Sequence, residues 1–167
     1  MFKVKQLLPQ KLCIDCKGCC RFSEKNSPWQ PRLLEEEISI ISAVCPAQAP
    51  ALQGGRIQPS PLKDYYACPF LDAGTNCCQI YAARPLECRL YPFLIHKTRE
   101  GIYLAADLNC PFIKEKRDTL KFRDYVNYLA GFLQLPEVAS VIKRSSLHLA
   151  DYSQTDNKLE NLAILVL

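Results

Sequence analysis

The sequence predicts an α+β fold, in which a small cysteine-rich domain of short helices and a β-hairpin precedes a C-terminal helical extension. All ten cysteines of the 167-residue chain lie at or before position 110. Residues 92–107 contain two apolar runs separated by Arg-Glu-Gly, a pattern typical of a hairpin. From residue 119 onward, apolar side chains recur at helical spacing. We therefore place the cysteine-rich domain at residues 1–115 and a helical extension with an apolar tail at residues 116–167.

The first half of the cysteine-rich domain is expected to contain one helix and a long loop. Residues 13–20 are predicted to form loop turns or a short helix. A helix is predicted from about Pro31 to Val44, because proline suits a first turn and the glutamates at 35–37 lie near the positive end of the helix dipole. Residues 46–61 contain four prolines and two glycines, so they cannot form a long regular element.

The second half of this domain is predicted to contain shorter elements. Residues 64–71 are rich in aromatic side chains and are expected to form a short strand. Residues 79–90 are expected to form two short helical turns, with Pro85 at the start of the second. The predicted hairpin of residues 92–107 follows and turns at Gly101.

The C-terminal extension is predicted to contain two helices and a tail. One helix covers Thr119–Leu133, and a second begins at Pro136 and includes a solvent-facing His148. The apolar tail LENLAILVL, residues 159–167, is compatible with a strand, a helix end, or an edge that meets a protein partner. Packing on its own domain is the favoured interpretation, and the C-terminal helices or tail are the expected surface for any protein partner.

Composition and charge argue against several classes of protein. The chain is 49% apolar and 23% charged, which suits a folded, water-soluble domain. Its net charge is only +4 and no five-residue basic block occurs, so no nucleic-acid partner is indicated. The sequence contains no signal peptide and no apolar run long enough to span a membrane, so we expect a cytoplasmic protein. Thiols stay reduced in that compartment, which favours metal ligation over a disulfide framework.

The cysteines fall into two groups whose spacing suits a metal. In CIDCKGCC, residues 13–20, the spacing C-x2-C-x2-C allows a tight turn to direct several sulfurs at one centre. The same three-cysteine run occurs in ferredoxins, but the ferredoxin ending is missing here. Cys68, Cys78 and Cys88 are ten residues apart, and Cys110 follows the hairpin. The spacing predicts a metal-binding domain but leaves open which metal it binds.

CIDCKGCC together with CQIYAARPLECRLYPF, residues 78–93, resembles the YkgJ-like cysteine-cluster family, the zinc- or iron-chelating CxxCxxCC domain. The resemblance covers roughly residues 10–113. It implies a bound zinc or iron, with an iron–sulfur cluster as one form, but no defined reaction. The ligands that it implies are Cys13, Cys16, Cys19, Cys20, Cys68, Cys78, Cys88 and Cys110. A similar pattern is associated with flagellin lysine methylases.

Several neighbouring residues have simpler interpretations. Cys45 is expected to be a small buried apolar residue. Because adjacent side chains generally diverge, one of Cys77 and Cys78 is expected to be a bystander, and the resemblance favours Cys78 as the ligand. The same divergence applies to Cys19 and Cys20, which could both ligate only if the turn splays them to two metals or to two cluster irons.

The residues around the cysteines include two arginines and a histidine with predicted roles. Arg84 or Arg89 is predicted to donate hydrogen bonds to a ligating sulfur or to a loop carbonyl, although a surface or acid-paired Arg84 is almost as well supported. His96 is not expected to be a ligand, because the cysteines already suffice.

Three hypotheses of function follow. The first is a protein that binds zinc or iron through cysteine thiolates. The second is an iron–sulfur-dependent enzyme of methyl transfer or redox chemistry, although the sequence contains no nucleotide loop, G-x-S-x-G or HExxH motif. The third is a zinc-stabilised module for protein interaction, with the C-terminal helices and tail as its contact surface.

Overall fold

The structure, a computed structural model, describes residues 2–16, 18–145, 149–153, 155 and 158–167. It divides the chain into two compact units. The first unit is Pro9–Arg89, and the second combines Phe2–Leu8 with Leu90–Leu167. The division therefore falls before the hairpin and not at the predicted residue 115. The reason is that the last strand of the chain pairs with the hairpin, as described below.

The first unit contains short helices and very short strands. It begins with α1 and ends in α3, and its strands form one three-stranded antiparallel sheet, in the order β1-β5-β4, and a separate pair, β2-β3. Its elements are α1 (Gln10–Cys16), a 3-10 turn (Gly18–Cys20), β1 (Arg21–Phe22), α2 (Glu35–Val44), a 3-10 segment (Pro46–Ala51), β2 (Leu52–Gln53), β3 (Arg56–Ile57), β4 (Ser60–Leu62), β5 (Tyr65–Ala67), a 3-10 turn (Tyr81–Ala83) and α3 (Leu86–Leu90).

Most local predictions for this unit are confirmed, some with shorter bounds. Residues 46–61 form only short pieces, and the turn of the β2-β3 pair uses Gly54 and Gly55 at φ 58° and 67°. Positive φ at both central residues is what a two-residue hairpin turn requires, and glycine adopts it without strain. The two helical turns predicted within residues 79–90 are present, although the strand predicted over residues 64–71 is limited to Tyr65–Ala67.

The predicted start of α2 at Pro31 is wrong by four residues, because long-range hydrogen bonds hold the preceding segment extended. The Leu33 N–H donates to the Gly55 carbonyl at 2.8 Å, and the Ile57 N–H donates to the Pro31 carbonyl at 3.0 Å. These bonds make residues 31–33 run alongside β3. The helix therefore begins at Glu35.

Two carboxylates join the segment before α2 to α3. Glu37, which is buried, accepts the Leu34 N–H at 3.0 Å and the Leu86 N–H at 2.7 Å. Glu87, which lies on α3, accepts hydrogen bonds from the Arg32 backbone N–H at 2.8 Å and from the Arg32 guanidinium at 3.3 Å. Since α3 carries Cys88, this exchange of hydrogen bonds fixes the position of one candidate ligand.

Replacing Glu37 with alanine is expected to lower the free energy of unfolding by about 2–4 kcal/mol, because it leaves two buried N–H groups without an acceptor. The measurement is urea denaturation of the reduced protein at one fixed zinc concentration. Glu36→Ala is the matched control, since Glu36 is exposed on the same turn and its loss should change stability by no more than about 0.5 kcal/mol. Equal stability of the two variants would contradict the role assigned to Glu37.

The core of the first unit is a cluster of buried apolar side chains. Its members come from the α2 region, from β3 and from the loops around the second cysteine group. They are Leu33, Ile41, Ile57, Phe70, Ile80 and Ala83. Three cysteines, Cys45, Cys68 and Cys78, pack against this cluster, so the core also supports the thiols.

The second unit confirms the predicted hairpin and helices. It contains β6 (Phe93–Lys97), β7 (Ile102–Asp107), α4 (Pro111–Lys116), α5 (Leu120–Leu133), α6 (Pro136–Arg144) and β8 (Leu159–Ile164). Thr119 caps α5 by accepting the Phe122 N–H at 3.2 Å. The strands form one antiparallel sheet in the order β6-β7-β8, so the apolar tail packs as a strand on its own unit. His148 lies outside the described residues.

The N-terminal segment Phe2–Leu8 packs on α5, which the sequence did not indicate. The Lys5 N–H donates to the Tyr128 hydroxyl at 2.9 Å, and the Tyr125 hydroxyl donates to the Lys5 carbonyl. Phe2 meets Phe132 edge-on, with ring centroids 6.3 Å apart. None of the helices in the described part of the chain is long and apolar enough to cross a membrane.

Candidate metal centre

The first cysteine group occupies α1 and the turn that follows it. Cys13 and Cys16 lie three residues apart on α1, so their side chains share one side of the helix. Cys13 is partly buried and Cys16 is exposed. Cys19 and Cys20 follow in the 3-10 turn, and both are partly buried. None of the ten cysteines is joined in a disulfide.

The sulfurs of Cys19 and Cys20 lie 3.9 Å apart. A zinc–sulfur bond of about 2.3 Å places two sulfurs of a tetrahedral site about 3.8 Å apart. The spacing in the structure is therefore that of two ligands on one metal. Adjacent side chains were expected to diverge, whereas this tight 3-10 turn holds the two sulfurs near each other.

The second cysteine group is brought to the first by the small sheet and by α3. The Cys68 N–H donates to the Cys20 carbonyl at 2.9 Å, which continues the pairing of β5 with β1. Cys78 pairs with Leu71 across an isolated bridge and faces the apolar cluster. Cys88 lies on α3.

Cys20 is the thiol at which these groups meet. Burial is the main cause of the raised pKa values of Cys13, Cys68, Cys78 and Cys88, and the negative charge of a thiolate at Cys20 raises each of them further. The pKa of Cys19 is raised first by its hydrogen bond with Cys20 and then by burial. Cys16 joins the group through Cys13, whose pKa it also raises. Seven of the eight predicted ligands therefore lie in the first unit, and these electrostatic interactions link them through Cys20 and Cys13. The eighth, Cys110, belongs to the second unit, where it is buried and precedes α4.

The thiols in this group differ in how readily they ionise. Burial raises the pKa of Cys68 and of Cys88 well above the usual range, because a thiolate is poorly solvated there. The pKa of Cys20 is instead lowered, first by the hydrogen bond from Cys19 and then by the guanidinium groups of Arg84 and Arg21. Cys20 is therefore the thiolate best prepared to meet a metal ion.

Arg84 is the cation that faces most of the group. Burial raises the pKa of Cys13 and of Cys78, and the positive charge of Arg84 partly offsets that rise. At Cys20 the same charge adds to the lowering of the pKa that the hydrogen bond from Cys19 causes. The guanidinium stacks on the Tyr81 ring at 3.8 Å, and its Nε donates to the Tyr81 carbonyl at 3.2 Å. This confirms the predicted hydrogen bond from an arginine to a loop carbonyl.

Arg89 holds the same loop from the other side. It donates to the Arg84 carbonyl and, through Nη2, to the Ala82 carbonyl at 2.9 Å. The two arginines together hold the backbone of residues 81–84, and this loop positions the Arg84 guanidinium near the thiols.

Arg21 provides a further positive group directly after Cys20. One nitrogen of its guanidinium donates to Asn76 Oδ1 at 3.1 Å, and the group lies 5.1 Å from the centre of the Tyr65 ring. Its Nε is buried and has no hydrogen-bond partner in the described part of the chain. Arg21 directly follows Cys20, and a thiolate accepts hydrogen bonds. The buried Nε–H of Arg21 is therefore suited to donate to a thiolate nearby.

The donor set fits a metal that prefers sulfur ligands. Seven thiols and two arginines give soft ligands and the positive charge that thiolates need. Among the residues whose positions are described, no three Cys, His, Asp or Glu side chains stand at the mutual distances of one coordination shell. Three or more of these side chains would therefore have to move closer together before they could share one metal ion.

Cys77 and His96 contact groups other than these thiols. The Cys77 sulfur contacts the Thr75 carbonyl at 3.8 Å at the exposed turn, whereas Cys78 faces inward. His96, buried on β6 in the second unit, lies 3.3 Å from Asn161 Oδ1 and 3.5 Å from Asp151 Oδ1.

The carboxylates Glu37 and Glu87, which position α3, could not be found from the sequence. The glutamate-rich start of α2 was visible in the sequence. Nothing in it indicated that Glu37 accepts an N–H 49 residues away.

Comparison with known proteins yields one match. A family model described as CxxCxxCC, a putative zinc- or iron-chelating domain, matches residues 12–111. The match covers both cysteine groups and Cys110. No curated protein and no solved structure matches the chain.

Proposed function

Since the chain belongs to the CxxCxxCC family, we propose that it binds zinc or iron through the thiolates of its two cysteine groups. One observation carries this proposal. The Cys20 sulfur lies 3.9 Å from that of Cys19, and the Cys20 carbonyl accepts the Cys68 N–H at 2.9 Å, so Cys20 is adjacent to both cysteine groups.

The proposed ligands are the eight cysteines of the family pattern. They are Cys13, Cys16, Cys19, Cys20, Cys68, Cys78, Cys88 and Cys110. Eight thiolates suffice for two four-coordinate ions, or for one iron–sulfur cluster with thiols to spare. A bound zinc would hold these segments together, and bound iron would add the capacity for electron transfer.

The protein's own residues have separate tasks in this proposal. Cys20 supplies the first thiolate, because its pKa is lowered overall by the hydrogen bond from Cys19 and by the nearby guanidinium groups. Arg84 and Arg21 offset the negative charge that accumulates as further thiols ionise. The carboxylates Glu37 and Glu87 keep α3, and with it Cys88, in place beside the other thiols.

Metal binding is expected to release protons and to strengthen as the pH rises. The pKa values of Cys13, Cys19, Cys68, Cys78 and Cys88 are raised, so these thiols carry protons at neutral pH. Each one that becomes a ligand must lose its proton, and lower pH therefore opposes binding. For a four-coordinate thiolate site we expect between three and about four protons per ion, since Cys20 contributes less than one.

The test is calorimetric titration of the reduced protein with Zn²⁺, and separately with Fe²⁺ without oxygen, in two buffers of different ionisation enthalpy. The difference between the buffers gives the number of protons released. Saturable binding with proton release supports the proposal. Titrations without saturable heat for either ion would overturn it.

A further inference from the structure

β8 forms one edge of the sheet in the second unit. The strand order is β6-β7-β8, and no other strand of the described part of the chain pairs with the outer side of β8. The opposite edge is covered in part, since the Lys97 N–H of β6 donates to the Ala150 carbonyl at 2.9 Å. Along an edge strand, alternate residues direct their N–H and C=O groups away from the sheet, where another extended segment can pair with them.

The sequence of this edge lacks the usual protection against pairing. Residues 161–167 read NLAILVL and contain no charged side chain and no proline. Two of the apolar side chains, Ile164 and Val166, are 67% and 78% exposed. Natural proteins keep edge strands short, charged or covered, because an open apolar edge pairs with other chains. The edge of β8 therefore has the character of a surface that accepts a further strand.

A groove of about 440 Å³ lies between β8 and α5. No residue of β6 or β7, both fully described, lines this groove, so it lies on the outer side of β8. Its apolar lining comes from both elements: Phe122 and Val126 of α5 are buried, and Leu162 of β8 is partly buried. An apolar side chain that enters between them loses contact with water, which favours its binding.

Contacts between β8 and its surroundings stand at both ends of this edge. Near the start, Arg117 Nη1 lies 3.6 Å from Glu160 Oε2. Beyond the end, the Val166 N–H donates to Gln134 Oε1 at 3.0 Å. The length of chain between positions 160 and 166 is about 20 Å, at about 3.3 Å per residue of a strand. The edge between the two contacts therefore has room for an extended segment of about six residues.

The two arginines that line the groove differ in their partners. Arg117 lies within 4 Å of two carboxylates, those of Asp118 and Glu160. Arg123 is exposed, and no carboxylate of the described residues forms an ion pair with it. Its guanidinium is therefore available to an anionic side chain that enters the groove.

From these observations we propose that the groove binds an extended peptide segment of another protein, which adds a fourth strand to the sheet at β8. Side chains alternate along a strand, so two that face α5 are two positions apart. One is apolar and enters between Phe122, Val126 and Leu162. The other is Asp or Glu and pairs with Arg123. The recognised segment therefore carries an apolar and an acidic residue separated by one residue.

The test uses the whole reduced chain and two fluorescein-labelled peptides, TVTLTETVT and TVTETLTVT. Threonine and valine favour the extended form, and the two peptides present leucine and glutamate in either order. Fluorescence anisotropy gives the dissociation constants. At least one of the peptides is expected to bind, and its dissociation constant should rise about fivefold or more when lysine replaces its glutamate. Wild-type protein that binds neither peptide would overturn the inference.

A charge exchange tests the role of Arg123. Arg123→Glu should reverse the preference and bind the lysine peptide more tightly than the glutamate peptide. Lys121→Glu is the matched control, since it makes the same change of charge at an exposed residue of α5 that does not line the groove. It should keep the wild-type preference. The inference is wrong if Arg123→Glu keeps that preference too.

Hydrogen exchange tests whether the peptide adds as a strand. The amides on the outer edge of β8, residues 159–164, should exchange more slowly in the complex, because they become hydrogen-bonded. Peptide binding that leaves the exchange of β8 unchanged contradicts strand addition.

A second copy of this chain is the other occupant that the edge could take. Sedimentation of the chain without peptide distinguishes the two, and we expect a monomer. A dimer that Ile164→Lys dissociates would show that β8 pairs with itself, and this result would overturn the inference.

Discussion

Replacing Cys20 with serine is expected to remove the metal and to destabilise the first unit. Cys20 interacts with thiols from both cysteine groups, and its sulfur lies 3.9 Å from that of Cys19. Serine keeps the size of the side chain but supplies a hard and weakly acidic oxygen. Since changes to residues that only support ligands already cost about 10–100-fold in affinity, loss of Cys20 should cost at least about a hundredfold.

The measurement is metal content after purification, together with the Zn²⁺ dissociation constant and the thermal midpoint with and without Zn²⁺. Cys77→Ser is the matched control, because it makes the same chemical change at the sulfur that contacts the surface turn. The control should bind and be stabilised by Zn²⁺ like the wild type. Wild-type affinity in Cys20→Ser would contradict the central position given to this thiol.

Replacing Arg84 with leucine is expected to weaken metal binding about 10–100-fold without removing a ligand. The guanidinium partly offsets the burial that raises the pKa of Cys13 and of Cys78, and it adds to the lowering of the pKa of Cys20, so its loss moves each of these pKa values upward. Less thiolate is then present at neutral pH, and the affinity should recover as the pH is raised. Zn²⁺ dissociation constants measured from pH 6.5 to 8.5 test this direction.

Arg84→Lys separates the effect of charge from that of stacking. It retains a positive charge near the thiols but loses the planar group that lies on the Tyr81 ring. We expect its affinity to lie between those of the wild type and the leucine variant. An unchanged affinity and an unchanged pH profile in Arg84→Leu would show that the charge does not act on the thiols.

The elements predicted best from the sequence are those fixed by local patterns. The apolar periodicity of Thr119–Leu133 and the turn residues at the hairpin each determine their structure within a few positions of the chain, and both are confirmed. The start of α2 could not be predicted, because its extension into residues 31–34 is prevented by hydrogen bonds to Gly55 and Ile57. The division of the chain was missed for a similar reason, since β8 pairs with a strand more than fifty residues earlier.

The candidate site could likewise be predicted from the sequence only where its residues are close together along the chain. Spacing alone placed Cys13, Cys16 and Cys19 near one another, since each gap is shorter than one helical turn. It could not show that β1 and β5 bring Cys68 to Cys20, because neither segment specifies a pairing partner that lies 48 positions away along the chain. The side-by-side sulfurs of Cys19 and Cys20 depend on the geometry of one 3-10 turn, which the sequence also does not specify.

The most direct test of the account is anaerobic purification followed by metal and sulfide analysis and an absorbance spectrum on the same sample. We expect zinc or iron in stoichiometric amount. Iron should come with sulfide and a broad band near roughly 400 nm if it is held as a cluster, and zinc should come without colour. Protein that has met neither air nor chelator and still contains neither metal would contradict the account.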